Sequence, residues 1–531
     1  MKTTRTLFVA TAVGGSLAIG LANVFWDWTL YLWIVWSIYL LMGITDMLQK
    51  KHTILRLYPV LGRLRYFFEA IRPEMQQYFV EDDTNGMPVS REFRSLIYQR
   101  AKGVRDTRPF GTIFDTYRVG YEWTDHSMNP KPMPKQQTRE KIGALRCEQP
   151  YEASRFNISA MSYGALSKHA IRALNRGAKL GRFYHNTGEG GLSPYHLEEG
   201  GDLVWQIGTG YFSCRTPEGE FDSESFARKA QHPAVKMIEI KLSQGAKPAH
   251  GGILPAAKVT PEIAEIREVP LAKDILSPPA HTAFRNPTEL LQFVTRLREL
   301  SGSKPVGIKL SIGKEAEFLS LCKAMLATGL MPDFITVDGA EGGTGAAPIE
   351  FTNSVGTPLR DALHFVHSAL IGCGLRDQVH VIASGKAFSA FHVFRLLALG
   401  ADLVNSARGM MFALGCIQSR QCHSDTCPTG VATQDPKRYK HLDISDKAKR
   451  VANYQVSVIH HLMELVAATG LHCPSQIQPS QIKRRVSPTQ VCTYETIYPL
   501  LENGQLLDAS RRPDEWAQWW QQANPKDWPE S

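Results

Sequence analysis

Eight short apolar runs, each ending in a loop rich in glycine, serine or threonine and followed by sequence of helical character, organise the middle of this chain. They are FNISA at 156–160, FYHNT at 183–187, LVWQIG at 203–208, KMIEIK at 236–241, VGIKL at 306–310, FITVD at 334–338, VHVIA at 379–383 and DLVNS at 402–406. Eight strand-like runs alternating with helices over roughly 250 residues is the count and size of an α/β fold of the (β/α)8 TIM barrel type. In such barrels the chemistry lies at the carboxyl ends of the strands, and the loops there carry the unusual residues. The first strand runs into AMSYGALS, the second into GEGG, the fourth into SQGAKP, the sixth into GAEGGTGAAP, the seventh into SGK and the eighth into ARGMM. One glycine-rich loop is ordinary turn chemistry. Six at the same end of successive strands are not. The loops after strands 7 and 8 are where such barrels commonly hold a phosphate, which nominates Ser384, Gly385, Arg408 and Gly409.

The N-terminal region follows a different pattern. Residues 6–26 and 28–45 carry no charged side chain, and only Asp27 separates them. A helix of about 20 residues spans roughly 30 Å of hydrocarbon, so the two stretches read as a transmembrane helical hairpin over 1–50. A cleaved signal peptide is the rival for the first stretch, but a second apolar stretch follows it instead of a polar mature chain. Lys2 and Arg5 precede the pair and Lys50, Lys51 and Arg56 follow it. The positive-inside rule then puts both ends, and the barrel, on the cytoplasmic side of the inner (cytoplasmic) membrane. After it, Leu64, Phe67, Phe68 and Ile71 mix with Arg63, Arg65 and Arg72 beyond a Pro59/Gly62 break. That mixture suits an interfacial amphipathic helix on anionic lipid, an ordinary core helix being the alternative. Residues 51–150 are thus read as interfacial helix and connecting region, 151–475 as the barrel with its cysteine loop, and 476–531 as a C-terminal extension.

Across 531 residues, 60 Lys and Arg against 51 Asp and Glu give a net charge of +9. With the early basic residues flanking apolar segments and no basic run interleaved with aromatics elsewhere, the lipid bilayer is the partner indicated, and nucleic acid is disfavoured. Nine cysteines are scattered in a pattern unlike a secreted disulfide framework. Three bunch as Cys416-x5-Cys422-x4-Cys427-Pro428, just after the eighth strand. Thiolates at short spacing followed by proline suit an iron–sulfur cluster. Zinc, with His423 as a fourth ligand, and inert buried thiols are the other readings.

Taken together, SYGALS, NTGEGG, IEIKLSQGAKP, the SPP at 277–279, GAEGGTGAAP and GCIQSRQCHSDTCPTGVATQ resemble the FMN-binding synthase domain of glutamate synthase, and more closely the stand-alone members of that family. The match runs in family order over roughly residues 150–475. The resemblance implies FMN and a 3Fe-4S cluster, the latter on Cys416, Cys422 and Cys427. It places Met161, Ser162 and Tyr163 along the flavin edge, Gln244 near ring or substrate, and Gly342, Gly343 and Thr344 on the phosphate side. Lys309, at the end of the fifth strand, is placed to stabilise a reduced flavin. Lys241, Lys247 and Arg267 match positions lining the 2-oxoglutarate pocket, and Glu189 the residue near the ammonia entrance.

The chain departs from the family where GEGGQLPG is usual. It has Ala249, His250, Gly251, Gly252, Ile253, Leu254, Pro255 and Ala256, and it reads Ala280-His281-Thr282 where a histidine pair is expected. An N-terminal glutaminase, a C-terminal β-helix and a separate G-x-G-x-x-G nucleotide unit are not expected here. Ammonia and electrons would come from outside, the latter through a ferredoxin-like protein or a membrane carrier. The expected activity is that of a membrane-anchored flavin and iron–sulfur oxidoreductase of glutamate synthase type in amino-acid biosynthesis. It would act on CH–NH2 donors in the family sense, reducing a small 2-oxo acid or its imine (2-oxoglutarate plus ammonia to glutamate, or a close analogue). The alternatives are an amino-acid or amine dehydrogenase feeding a membrane partner, and a catalytically silent assembly subunit.

Overall fold

A computed structural model describes residues 2–134, 138–271 and 273–529. The chain divides into two units, Met1–Arg91 and Glu92–Ser531. In the first, α1 (Lys2–Asn23) and α2 (Leu32–Leu48) are joined through a 3-10 turn at Asp27–Tyr31. Two glycines set their approach. A Cβ at Gly15 would lie 2.1 Å from the Trp36 ring, and one at Gly43 would lie 2.0 Å from Phe8. Small residues facing large ones let the two helices approach closely. Polar contacts also join the helices: Thr11 with the Tyr39 hydroxyl at 2.8 Å, and the Trp36 indole N–H donating to Ser16 Oγ at 3.0 Å. The outer faces, with Leu17, Leu21, Ile34 and Val35, are apolar and exposed. By length and composition both helices could cross a membrane. At the end of α2 the buried Asp46 accepts from Nε and Nη2 of Arg63 and from the Val60 N–H. That fixes the start of α3 (Gly62–Met75), whose Leu64, Phe67 and Phe68 remain exposed.

The second unit is the barrel. Its strands are β1 (Phe156–Ile158), β2 (His185–Asn186), β3 (Leu203–Ile207), β4 (Val235–Lys241), β5 (Val306–Leu310), β6 (Phe334–Asp338), β7 (His380–Ser384) and β8 (Leu403–Ser406). Each falls on one of the eight apolar runs. Neighbours pair in parallel, and β8 closes on β1 with Val404 opposite Phe156. β3, β5 and β6 are buried throughout, which is why their sequences are mostly apolar, with polar residues only where partners await them.

The end of the barrel where the strands begin is plugged. A two-stranded antiparallel hairpin, Arg139–Ile142 with Tyr151–Ser154, lays Ile142 and Ala153 against Val204, Met237, Phe334, Ile382 and Leu403. Above this apolar layer lies a polar one. The buried Glu239 carboxylate accepts from Asn186 Nδ2 at 2.7 Å, Gln206 Nε2 at 2.6 Å and Thr336 Oγ1 at 2.7 Å. A buried charge is tolerated when its lone pairs are filled in this way.

The expected connecting region and C-terminal extension meet in one sheet, Glu122–Thr124 pairing with Ile482–Arg485 and that strand with Val491–Thr493. Glu122 is the fastening. Its carboxylate pairs with Arg360 and Arg395 on helices outside the barrel and accepts from the Tyr494 hydroxyl at 2.7 Å. Burial pushes this carboxyl up, but Arg395, Arg360 and Tyr494 outweigh it and hold it below the usual glutamate range. Replacing Glu122 by Gln strands two half-buried guanidinium groups, and a broken pair of this kind costs about 3–5 kcal/mol. Denaturant unfolding should show that loss, with wild type and Glu122→Gln converging in acid. A depressed folded pKa gives stability that is whole above the unfolded value and drains as pH falls through the folded one. A loss under about 1 kcal/mol would put this network with ordinary surface pairs.

Candidate active site at the barrel mouth

The carboxyl ends of β2 and β4 bring one carboxylate and three cations together. Glu189, in the loop after β2, meets Lys241 Nζ at the end of β4 at 2.7 Å. Lys247 donates to the Gly251 carbonyl at 2.7 Å, and Arg267 donates to the Tyr163 carbonyl at 3.0 Å while lying 5.0 Å over the Phe212 ring. All three cations are buried. Desolvation lowers Lys247 from its ordinary value, with Glu189 opposing, and lowers Arg267 to about 10. Glu189 is pushed up by burial, but Lys241, Lys247 and Arg267 bring it below the usual carboxylate range. Glu189 and Lys241 line a recess with Gln244, His250, Gly252 and Pro279, and the charges of Lys247 and Arg267 also reach Glu189, which leaves an excess of positive charge there. Such a site can bind a small dianion through charge-assisted hydrogen bonds.

The backbone is tight here. A Cβ on Gly251 would stand 2.0 Å from the Ser277 carbonyl oxygen, and one on Gly245 would stand 1.8 Å from that of Gly339. His281 holds the end of β4 from below. Burial lowers it to about 4, so it is neutral; Nε2–H donates to the Lys241 carbonyl at 2.9 Å, and Nδ1 accepts from the Tyr211 hydroxyl at 3.0 Å.

On the opposite rim, the loops after β6, β7 and β8 face one another. Arg408 donates to the Glu341 carbonyl and lies 3.5 Å from where a Gly343 Cβ would stand. Burial is the main cause lowering both Lys386 and Arg408, and Arg408 adds to the shift on Lys386. Two cations close to each other beside glycine backbone suit a phosphate. Between the two rims Lys309, buried on β5, pairs with Asp338 at 3.3 Å, and Asp338 also accepts from the Gly245 N–H at 2.9 Å.

Beyond β8 the three cysteines gather. Burial pushes the Cys416 thiol up to about 12, with Cys422 and Cys427 contributing, and raises Cys422 with Cys427 contributing. Cys427 goes the other way. Burial raises it, but Thr429 Oγ1 and the backbone N–H groups of Ala432, Thr429 and Val431 bring it below the ordinary cysteine value. Among the described residues no three His, Cys, Asp or Glu side chains are placed to hold a single metal ion. The three thiols still act on one another electrostatically, Cys422 and Cys427 on Cys416 and Cys427 on Cys422. The β6 loop lies on them, since a Gly345 Cβ would be 3.0 Å from the Cys422 carbonyl.

The conserved region in glutamate synthase matches residues 115–472 of this chain. The glutamate synthase large subunit-like protein YerD of Bacillus subtilis is 41% identical over 483 residues, covering 83% of this chain and 91% of YerD. The chain belongs to the glutamate synthase family. The archaeal glutamate synthase (NADPH) of Methanocaldococcus jannaschii is 33% identical over 370 residues, 69% of this chain and 68% of that protein. Among solved structures, a flavocytochrome b2 aligns with a TM-score of 0.43 at 9% identity, over 80% of this chain and 88% of that one. The barrel itself rests on the strand pairing above.

Within this glutamate synthase family member, Glu189, Lys241 and Gln244 line one recess, and the charges of Lys247 and Arg267 act on Glu189 there. Met161, Ser162 and Tyr163 lie over the β2 loop, where a Gly188 Cβ would meet the Ser162 nitrogen at 2.8 Å. Gly342 abuts the Ala246 nitrogen, while Thr344 stands exposed on the rim. Ser384 meets Ser159 Oγ at 3.2 Å inside the barrel. Gly385 faces Leu359, and Gly409 faces Ser406 and Tyr454, so their missing side chains are required by packing. Sequence reasoning passed over Lys386, although the SGK triplet that holds it was visible. It also gave His281 no role, because a buried neutral histidine leaves no pattern in sequence.

Proposed function

We propose that this protein is a membrane-anchored oxidoreductase of glutamate synthase type that binds FMN and a 3Fe-4S cluster and reduces a dicarboxylic 2-oxo acid, or the imine it forms with ammonia. The observation that carries this is the recess at Glu189, whose carboxylate pairs with Lys241 and is acted on by the buried Lys247 and Arg267. When bound, FMN would supply hydride chemistry and the cluster single-electron chemistry.

The chain's own residues fit those groups. Lys386 and Arg408, with the backbone of Gly343 and Gly385, would hold the phosphate. Lys309 would face the reduced ring, its charge shared with Asp338. Cys416, Cys422 and Cys427 would hold the cluster, the N–H donors around Cys427 stabilising its thiolate. At the substrate, Lys247 and Arg267 would take the two carboxylates and fix the 2-oxo carbon. Lys241, hydrogen-bonded to Glu189, would polarise the oxo or imino group. Glu189, held below the usual carboxylate range by the surrounding cations, would accept a hydrogen bond from incoming ammonia and orient it toward the 2-oxo carbon.

The N-terminal hairpin would anchor the barrel on the cytoplasmic face, with α3 in the lipid interface and 476–531 held to the barrel side. The electron partner would be a ferredoxin-like protein or a membrane carrier. The anchor also favours a second reading, oxidation of an amino acid or amine with electrons passed to the membrane.

Stopped-flow spectroscopy separates the two directions. Photoreduced protein should be reoxidised by 2-oxoglutarate at least tenfold faster with ammonium than without it, and amino acids should reduce the oxidised flavin slowly. Fast reduction by an amino acid with no reoxidation by any 2-oxo acid would reverse the assignment. For the anchor, a reporter fused after Ser531 should be active only if it functions in the cytosol. Activity confined to a periplasmic reporter would overturn the topology.

A further inference from the structure

Lys258 lies in a short 3-10 turn, Ala256–Lys258, within the excursion from β4 to β5 that supplies His250 and Gly252 to the recess and carries Arg267. It is 4% exposed. Its ammonium does not point into the recess. It donates to the carbonyl of Cys422 at 2.8 Å and to that of Ala432 at 3.3 Å, the two ends of the turn that carries Cys427. No carboxylate among the described residues forms an ion pair with it, and the acidic groups acting on it are Asp425, Cys422 and Cys427. An ammonium buried with no carboxylate in ion-pair contact is costly, and Asp425 is the main acidic group compensating it, ahead of Cys422 and Cys427.

Resting on the reading that Cys416, Cys422 and Cys427 carry an iron–sulfur cluster, we propose that Lys258 is the positioning residue of that site: it pins the cysteine loop and supplies the positive charge that makes the cluster easier to reduce. The same side chain ties the redox loop to the segment over the substrate. Helix Pro261–Arg267 begins at the Thr260 cap two residues on, and its last residue is the substrate-side Arg267. A positive charge beside a centre that gains an electron favours the reduced form, and hydrogen bonding and local charge are among the levers that set cluster potentials.

The test is redox titration of anaerobically reconstituted full-length protein, read by electron paramagnetic resonance, with iron content and thermal unfolding measured in parallel. In Lys258→Met, the reduced-to-oxidised cluster ratio at fixed potential should fall about tenfold, 59 mV for one electron, with unfolding unchanged. Lys258→Arg should stay near wild type. Loss of iron in Lys258→Met but not in Lys258→Arg, both folded, supports the pinning role equally. A folded Lys258→Met with wild-type iron and wild-type potential overturns the proposal. Cys422→Ser sets the baseline: if wild-type protein holds no more iron than that variant, the cluster reading fails and takes the role of Lys258 with it.

Discussion

Closure of β8 onto β1 is the constraint from which the rest of this molecule follows. Once Val404 lies opposite Phe156, all eight carboxyl ends share one mouth, and residues separated by up to 250 positions become neighbours. The plug of Ile142 and Ala153 at the other end and the filled polar layer around Glu239 make the barrel a solid post. Its loops can therefore hold close backbone approaches, such as Gly245 against Gly339, that a looser frame would relax.

The mouth then divides by charge. On one rim, Glu189 engages Lys241 while Lys247 and Arg267 hold onto backbone carbonyls and keep their charge available. On the other, Lys386 and Arg408 share a glycine-lined edge. The pair of Lys309 and Asp338 lies between them, and the cysteine loop lies beneath the excursion that carries Arg267. Substrate, flavin and cluster would thus occupy adjacent sites linked by one segment of chain.

Much of this was legible in the sequence, for reasons that differ by element. The eight strands were readable because parallel strands buried on both faces are predominantly apolar, and the loops because close backbone approach demands glycine. Glu189, Lys241, Lys247 and Arg267 were singled out through the motifs that hold them, and the structure sets Lys241 against Glu189 with the other two acting on it. What stayed hidden depends on distant partners. Glu122 looks like any polar residue of a connecting region until Arg360 and Arg395 arrive from the barrel's helices. His281 and Lys258 act through carbonyls of residues 40 and 164 positions away, and no local spacing encodes that.

The central claim is that the recess is built for a dianion, because three cations face one carboxylate. Calorimetric binding of 2-oxoglutarate and of 2-oxobutanoate, which lacks the second carboxylate, to wild type and to Lys247→Met tests it most directly. Wild type should prefer the dicarboxylate by about a hundredfold, near 2.7 kcal/mol, as expected for one charge-assisted contact. Lys247→Met should lose most of that preference while binding the monocarboxylate unchanged. Equal binding of the two acids by wild type, or a preference that survives in Lys247→Met and Arg267→Met alike, would contradict the account.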